Sequence, residues 1–397
     1  MNVPKLRFKE FNDKYNITKV SEIIDVIDGD RGNNYPKAND FYDSEFCLFL
    51  NAGNVTKNGF NFKNNQFITK EKDKKLRKGK LLINDIVLTT RGTVGNVAWF
   101  NEKTPYKNIR INSGMVINRI KENGHLLPEY LYSYMKSPVF ENQVNKMNYG
   151  SAQPQLTVSG INKFNIQYPT INEQKKVSTI MLLLDKKIEL QSKKIEDLKL
   201  FKKGLNKNIF SNFNGKYKVD ELIKEYNKKT SKNNQFEVLS STANGIILQN
   251  EYFNKQAASL DNTGYKIVPF GFITYRSMSD SGEFHFNIQN ITENGIVSPA
   301  YPVFEINEGI VDKTYFVYYI NENKSFKNKV LSSKEGGTRY ALSMSKFKEI
   351  NLYLPPLEFQ KKCSKLLNTY NRKSKNEENK LNKLQKLKKG LMQNMFV

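Results

Sequence analysis

Arg91 lies in TTRGTVG (89–95) and Arg276 in YRSMSDSG (275–282), each after a β-rich run and before a loop of small residues. A guanidinium in such a loop can donate two parallel hydrogen bonds to a carboxylate, a phosphate or a guanine edge. The neighbouring Thr90, Thr93, Tyr275 and Ser277 add single donors. Three further loops share the composition. GDRGNNYPK (29–37) offers Arg31, Asn33 and Lys37; YKNIRINSG (106–114) offers Arg110; SSKEGGTRY (332–340) offers Lys334, Thr338 and Arg339. Ser151, after Gly150, stands at a position matching Thr338, after Gly337. These side chains suit phosphates and base edges, with Ser, Thr and Lys anchoring a backbone and Arg and Asn reading bases. Taken singly, each loop is also what a solvated turn looks like.

Residues for covalent or metal chemistry are poorly spaced for it. His125 and His285 are far apart, and neither Cys47 nor Cys363 falls in a metal, redox or Cys/His pattern. The acidic run EKD (71–73) reads as a solvated turn. There is no GxxxxGK[ST] loop, and GDRGNN and RGTVGN lack the GxGxxG spacing. The single Pro-Pro pair sits in LPPLEF, without the N/D-P-P-aromatic pattern of amino-methyltransferases. No catalytic, cofactor-binding or metal-ligating residue is assigned, which points to a recognition module. An enzyme whose carboxylates carry no motif stays open.

Charge narrows the partner. Sixty-three Lys and Arg against 39 Asp and Glu give a formal +24 over 397 residues, which favours a polyanion, nucleic acid before an anionic membrane. A Lys-rich genome would raise the charge as well. The start MNVPKLRFKE has no signal-peptide core, and the longest aliphatic run, IMLLL (180–184), is far below the ~20 residues of a membrane span. The expected compartment is a reduced cytoplasm.

The elements that would hold these loops come in duplicate. With Pro169 set on Pro355, an offset of 186, residues 169–211 and 355–397 align without a gap and are identical at 14 of 43 positions. The matches include Gln174 and Gln360, the KK that follows, and KKGL with its trailing Asn and Phe. Upstream the match loosens: Tyr130, Leu131 and Tyr134 face Tyr315, Phe316 and Tyr319, and VSEII (20–24) resembles VDELI (219–223). The chain reads as globular part, long helix, globular part, long helix: 1–168, 169–212, 213–354 and 355–397.

In the first long segment Leu184, Ile188, Ile195, Leu198, Leu205 and Ile209, with Gln191 and Lys202 between, step 4-3-4-3 along a heptad seam. The second keeps the register at Tyr370, Ser374, Glu377, Leu381, Leu384, Lys388, Leu391 and Met395 and is more polar near Ser374 and Glu377. Each helix of close to 40 residues would be about 60 Å long. Neither stripe is wide enough to stabilise a lone helix, so the helices are expected to pair as an intrachain antiparallel coiled coil. Ordinary packing of each helix on its own domain is the plainer alternative. The globular parts read as short strands with Asn-Gly turns at Asn58-Gly59, Asn123-Gly124, Asn244-Gly245 and Asn294-Gly295. A helix is expected from near Pro128, with KTYFVYYINENKSFKNKV as its counterpart.

The repeated segments YPTINEQKK…KKGLNKNIF and LPPLEFQKK…KKGLMQNMF, with the opening NVPKLRFKEF, resemble the specificity (S) subunit of type I restriction-modification systems. The resemblance spans essentially the whole chain and is tighter in the helices than in the globular parts. It implies an α+β chain with a pseudo-two-fold repeat, two target-recognition domains alternating with the paired helices. It implies a non-catalytic subunit that reads a two-part DNA target, one half-site per domain. Two methyltransferase (M) subunits would bring S-adenosylmethionine, and two restriction (R) subunits ATP and Mg, with no cofactor in this chain. Half-sites ~10 bp apart between centres would face the pair, helix length setting the spacer. A stand-alone DNA-binding regulator or architectural protein with a helical spacer is the alternative, and a scaffold for a protein or membrane partner a third.

Overall fold

The structure, a computed structural model, describes residues 3–122, 124–148, 155–210, 213–249, 261–332 and 340–397. Contacts divide the chain into two compact units, Met1–Lys193 with Asn379–Val397, and Lys194–Glu378. Each unit therefore holds one globular copy and part of both long helices, Ile171–Ile209 and Leu357–Met395.

The first unit opens with strand Asn16–Lys19, the single helical turn Val20–Ile23 and strand Ile24–Asp28. The second repeats this as Gly215–Lys218, Val219–Leu222 and Ile223–Glu225. The opening strand closes back on the strand before the long helix, with Asn16 opposite Tyr168 in one copy and Gly215 opposite Leu354 in the other. A four-stranded antiparallel sheet follows in each. Its order is Ile24–Asp28, Met115–Ile120, Ile86–Thr89, Val97–Trp99 in the first unit, and Ile223–Glu225, Val303–Ile306, Ile273–Thr274, Asn287–Ile288 in the second.

Two helices cover each sheet. The expected helix at Pro128 is Pro128–Met135 and then Pro138–Asn148, because a proline inside a helix removes a donor and clashes with the preceding turn. Its counterpart is Lys313–Glu322 followed by Lys324–Ser332. Ile86, Leu88, Val97 and Val116 pack under Tyr130, Leu131 and Tyr134, and Ile273 and Phe304 under Tyr315 and Phe316. Beyond this shared core the copies differ. The first unit adds the three-stranded sheet Phe67–Ile68, Cys47–Phe49, Ile109–Arg110, and the second adds Gly245–Leu248, Glu237–Thr242, Asn294–Val297, Lys266–Pro269.

Residues identical in the two copies do identical work. Gln174 is fully buried; its Oε1 accepts from the Leu127 amide (2.8 Å), and its Nε2 donates to the carbonyls of His125 (2.8 Å) and Pro169 (2.9 Å). Gln360 accepts from the Asp312 amide (3.0 Å) and donates to Pro355 O (2.8 Å). Since Leu127 and Asp312 are N-cap residues, one amide side chain ties the start of each long helix to the start of a sheet-covering helix. The repeated ending is a docking element. Phe396 rests on Tyr130 and Tyr134, ring centroids 5.7 and 6.1 Å away, and Phe210 on Tyr318 and Tyr319 at 5.7 and 5.4 Å.

The 4-3 stripe is the covered face of both helices. Leu184, Ile195, Ile209, Tyr370, Glu377 and Met395 are buried, while Ile188, Leu198, Leu205, Ser374, Leu381, Leu384 and Leu391 are half-buried. Within the second unit Lys194 pairs with Glu377 (2.8 Å) and Phe201 stacks on Tyr370 (6.3 Å), so the helices run antiparallel there. Within the first unit Asp185 takes Lys388 and Lys136.

Two of the Asn-Gly turns are hairpins of one design. In TKNG (56–59) and TANG (242–245) the glycine has φ 98° and 117°, a conformation few other residues adopt. In both the Thr hydroxyl donates to the Gly carbonyl, at 3.0 and 2.9 Å. Asn294-Gly295 is corrected: it lies inside strand Asn294–Val297, where a Cβ on Gly295 would sit 2.2 Å from Leu239 Cδ1. Asn123 is outside the described residues. Among the described residues no helix is long and apolar enough to cross a membrane.

Candidate nucleic-acid interface

In the first unit three of the polar loops converge. Strand Ile86–Thr89 delivers Thr90, whose amide donates to Gly114 O (2.8 Å) and whose carbonyl accepts from the Leu156 amide (3.0 Å). The loop 89–95 then meets the ends of 106–114 and of the 155–156 segment. Arg91 is exposed beside Gln155; with the Gln155 amide turned so that Oε1 faces it, that oxygen accepts from Arg91 Nη2 at 2.8 Å and Nε at 3.2 Å. Thr89 Oγ1 accepts from the Asn96 amide (2.9 Å) and donates to Thr93 O, which pins the loop and leaves the Thr93 side chain exposed. The loop 29–37 joins through Arg31, whose Nη2 donates to Asp28 Oδ1 and to Ser113 O, both at 3.2 Å. Asn33 and Lys37 are exposed on the same loop.

Buried charge holds these loops from below. Asp30 accepts from the amides of Gly32 (2.8 Å) and Arg77 (2.7 Å), and those two bonds pull its carboxyl down to about 2. Asp73 is buried between Arg110 Nε and Lys80 Nζ, both at 2.6 Å. Burial pushes the Asp73 carboxyl up, but the Lys80 and Arg110 hydrogen bonds outweigh it and the group lies below its usual range. Burial, with the Asp73 charge added, pushes the Cys47 thiol up to about 12.

The second unit matches at its centre. Leu342, which stands 186 residues after Leu156, donates its amide to Ser277 O (2.8 Å) just as Leu156 does to Thr90 O. Arg276 is exposed beside this bond, and Ser277 Oγ donates to Ala300 O (2.6 Å).

The model of the type I restriction modification DNA specificity domain matches this chain twice, over residues 12–200 and 206–386. The chain belongs to that family. Among relatives, the specificity subunit of the type I restriction enzyme MjaIX of Methanocaldococcus jannaschii is 32% identical over 147 residues. That stretch is 37% of this chain and spans about a third, 32%, of the relative. The fold is that of the S subunit of the type I restriction-modification system from M. genitalium: TM-score 0.63 at 16% identity, over 100% of this chain and 99% of that one. A chain from a structure of complex assembly and conformational transition of the type I R-M system gives 0.51 at 12% identity, over 95% and 96%.

Within this specificity-domain pair the surface positions are Arg31, Asn33, Lys37, Arg91 and Thr93 in the first copy and Arg276 in the second, with Ser277 half-buried. Three expectations are corrected. Arg110 is 5% exposed; besides Asp73 it binds the carbonyls of Asp73, Leu76 and Lys78, so it holds a turn together from inside. Tyr275 is fully buried against Phe286 and Phe347, its hydroxyl donating to Leu342 O (3.0 Å). Thr90 is 2% exposed and contributes its backbone. EKD (71–73), read as a solvated turn, lies in helix Lys70–Lys75, and its Asp73 is buried against Arg110. Ser151, Lys334, Thr338 and Arg339 lie outside the described residues. Sequence reasoning missed Gln155 and Arg77; the cation run KKLRKGK (74–80) was the available signal for the second.

Proposed function

We propose that this chain is the DNA-reading subunit of a type I restriction-modification assembly, carries no chemistry of its own, and works in the cytoplasm. Each unit reads one part of a two-part target, through Arg31, Asn33, Arg91 and Thr93 in the first and Arg276 in the second. Two methyltransferase subunits supply S-adenosylmethionine chemistry at an adenine in each part, and two restriction subunits supply ATP- and Mg-dependent cleavage. Helix length sets the interval between the parts. The single observation that carries this reading is the double match to the specificity-domain family, one match per repeat. Exposed Arg91 and Arg276, each just past the end of an equivalent strand in its own unit, support it.

The test is co-expression with a type I methyltransferase subunit from the same host, followed by mapping of N6-methyladenine. One bipartite motif is expected, absent without this chain. Arg276→Ala should relax one half of the motif and leave the other. Methylation that does not depend on this chain would refute the reading.

A further inference from the structure

Residues 74–78, KKLRK, close helix Lys70–Lys75 and make the turn out of it, and their outward side chains are all cationic. Lys74, Lys75, Arg77 and Lys78 are exposed, Arg77 with 75% of its side chain in solvent, while Leu76 between them is buried. Such a cluster on a mobile loop would be a solvated surface, but this turn is held rigid from inside. Arg110 binds the carbonyls of Asp73 (2.7 Å), Leu76 (3.1 Å) and Lys78 (2.8 Å), and its Nε binds the Asp73 carboxylate. From the other side Asp30 takes the Arg77 amide, and Asn34 Nδ2 donates to Lys75 O (3.3 Å). Both buried acids are spent on this scaffold. Within the described residues no hydrogen bond or ion pair occupies the ammonium groups of Lys74, Lys75 or Lys78, and Arg77 has only a 3.5 Å approach to Asp30. The turn abuts the loop that carries Arg31.

We infer that the 74–78 turn is a contact for the phosphate backbone of duplex DNA, flanking the Arg31–Arg91 surface and fixing the register of the first unit. The inference rests on the DNA-reading proposal and extends it to a sequence-independent anchor. Phosphate contact follows from the chemistry: compact ammonium groups without a planar acceptor partner suit a line of point charges better than a base edge.

The experiment measures fluorescence anisotropy of the full chain on a labelled duplex across NaCl concentrations. Each lost phosphate contact lowers the slope of log K against log salt by about 0.9. The variant Lys75→Gln/Arg77→Gln/Lys78→Gln should lower the slope by ~2–3 and weaken target and unrelated duplexes alike. Arg77→Lys alone should leave the slope unchanged. A control, Arg372→Gln/Lys373→Gln/Lys375→Gln on the exposed face of the second long helix, removes the same formal charge. An unchanged slope in the first variant, or an equal fall in the control, overturns the assignment. If the unaltered chain shows no salt-dependent DNA binding, the DNA-reading proposal fails instead.

Discussion

Gln174→Met keeps side-chain length and volume but removes three hydrogen bonds from a site with no access to water. The Leu127 amide would lose its side-chain acceptor, and the carbonyls of His125 and Pro169 would lose a donor each. A buried group left unsatisfied costs ~1–3 kcal/mol, with carbonyls at the low end because they keep a second lone pair. Some apolar burial by the Met chain offsets this, leaving a net loss of ~2–3 kcal/mol. The chain has one tryptophan, Trp99, on strand Val97–Trp99 of the first unit, its ring 6.1 Å from Tyr132 of the helix that Gln174 anchors. Urea unfolding followed by Trp99 emission therefore reports the first unit. With a denaturant slope of ~2–3 kcal/mol/M the midpoint should fall by about 1 M. Gln360→Met removes two bonds from the second unit and should cost ~1–2 kcal/mol by calorimetry. A Gln174→Met midpoint within about 0.2 M of the unaltered chain would refute the idea that the repeated glutamines are structural ties.

Three further outcomes can be checked. Gly204→Ala and Gly390→Ala should each raise helix stability by ~1 kcal/mol in calorimetry, since a Cβ at either meets no atom within 4 Å. Both cysteines are buried, with the Cys47 thiol held at about 12, so a thiol-selective disulfide reagent at pH 8 should label neither in the native chain and both after denaturation. Asp30 is depressed from 3.8 to about 2 in the fold, so the unfolded chain binds its proton first. Its stabilisation is present above 3.8 and lost as pH falls toward 2; Asp30→Asn should remove that share of the acid dependence of the Trp99 transition.

Two physical causes account for the corrected Arg110 and Tyr275. Arg91 sits between Thr90 and Gly92 and Arg110 between Ile109 and Ile111 at a strand end; the two Ile hint at burial but name no partner for a buried guanidinium. What separates them is Asp73, 37 residues before Arg110, which the fold brings underneath it. Tyr275 and Arg276 are adjacent, yet alternation along the chain end turns one into an aromatic core and the other outward. The T-x-N-G pair at 56 and 242 keeps the same offset of 186 as the helices and was legible in principle. Nothing in the structure explains why Gly204 and Gly390 are retained.

What this sequence determined by itself was whatever is written in short-range spacing. The duplication, the two long helices and their covered stripe follow from a period near 3.5 residues and a fixed offset, and both are visible without coordinates. The tertiary structure alone decided how those pieces are shared out. Phe210 meets Tyr318 and Tyr319 in the second unit, whereas Phe396 meets Tyr130 and Tyr134 in the first. It also decided which cations are spent inside. A guanidinium is drawn into a core only where a carboxylate and free carbonyls await it, and residues distant along the chain supply those partners.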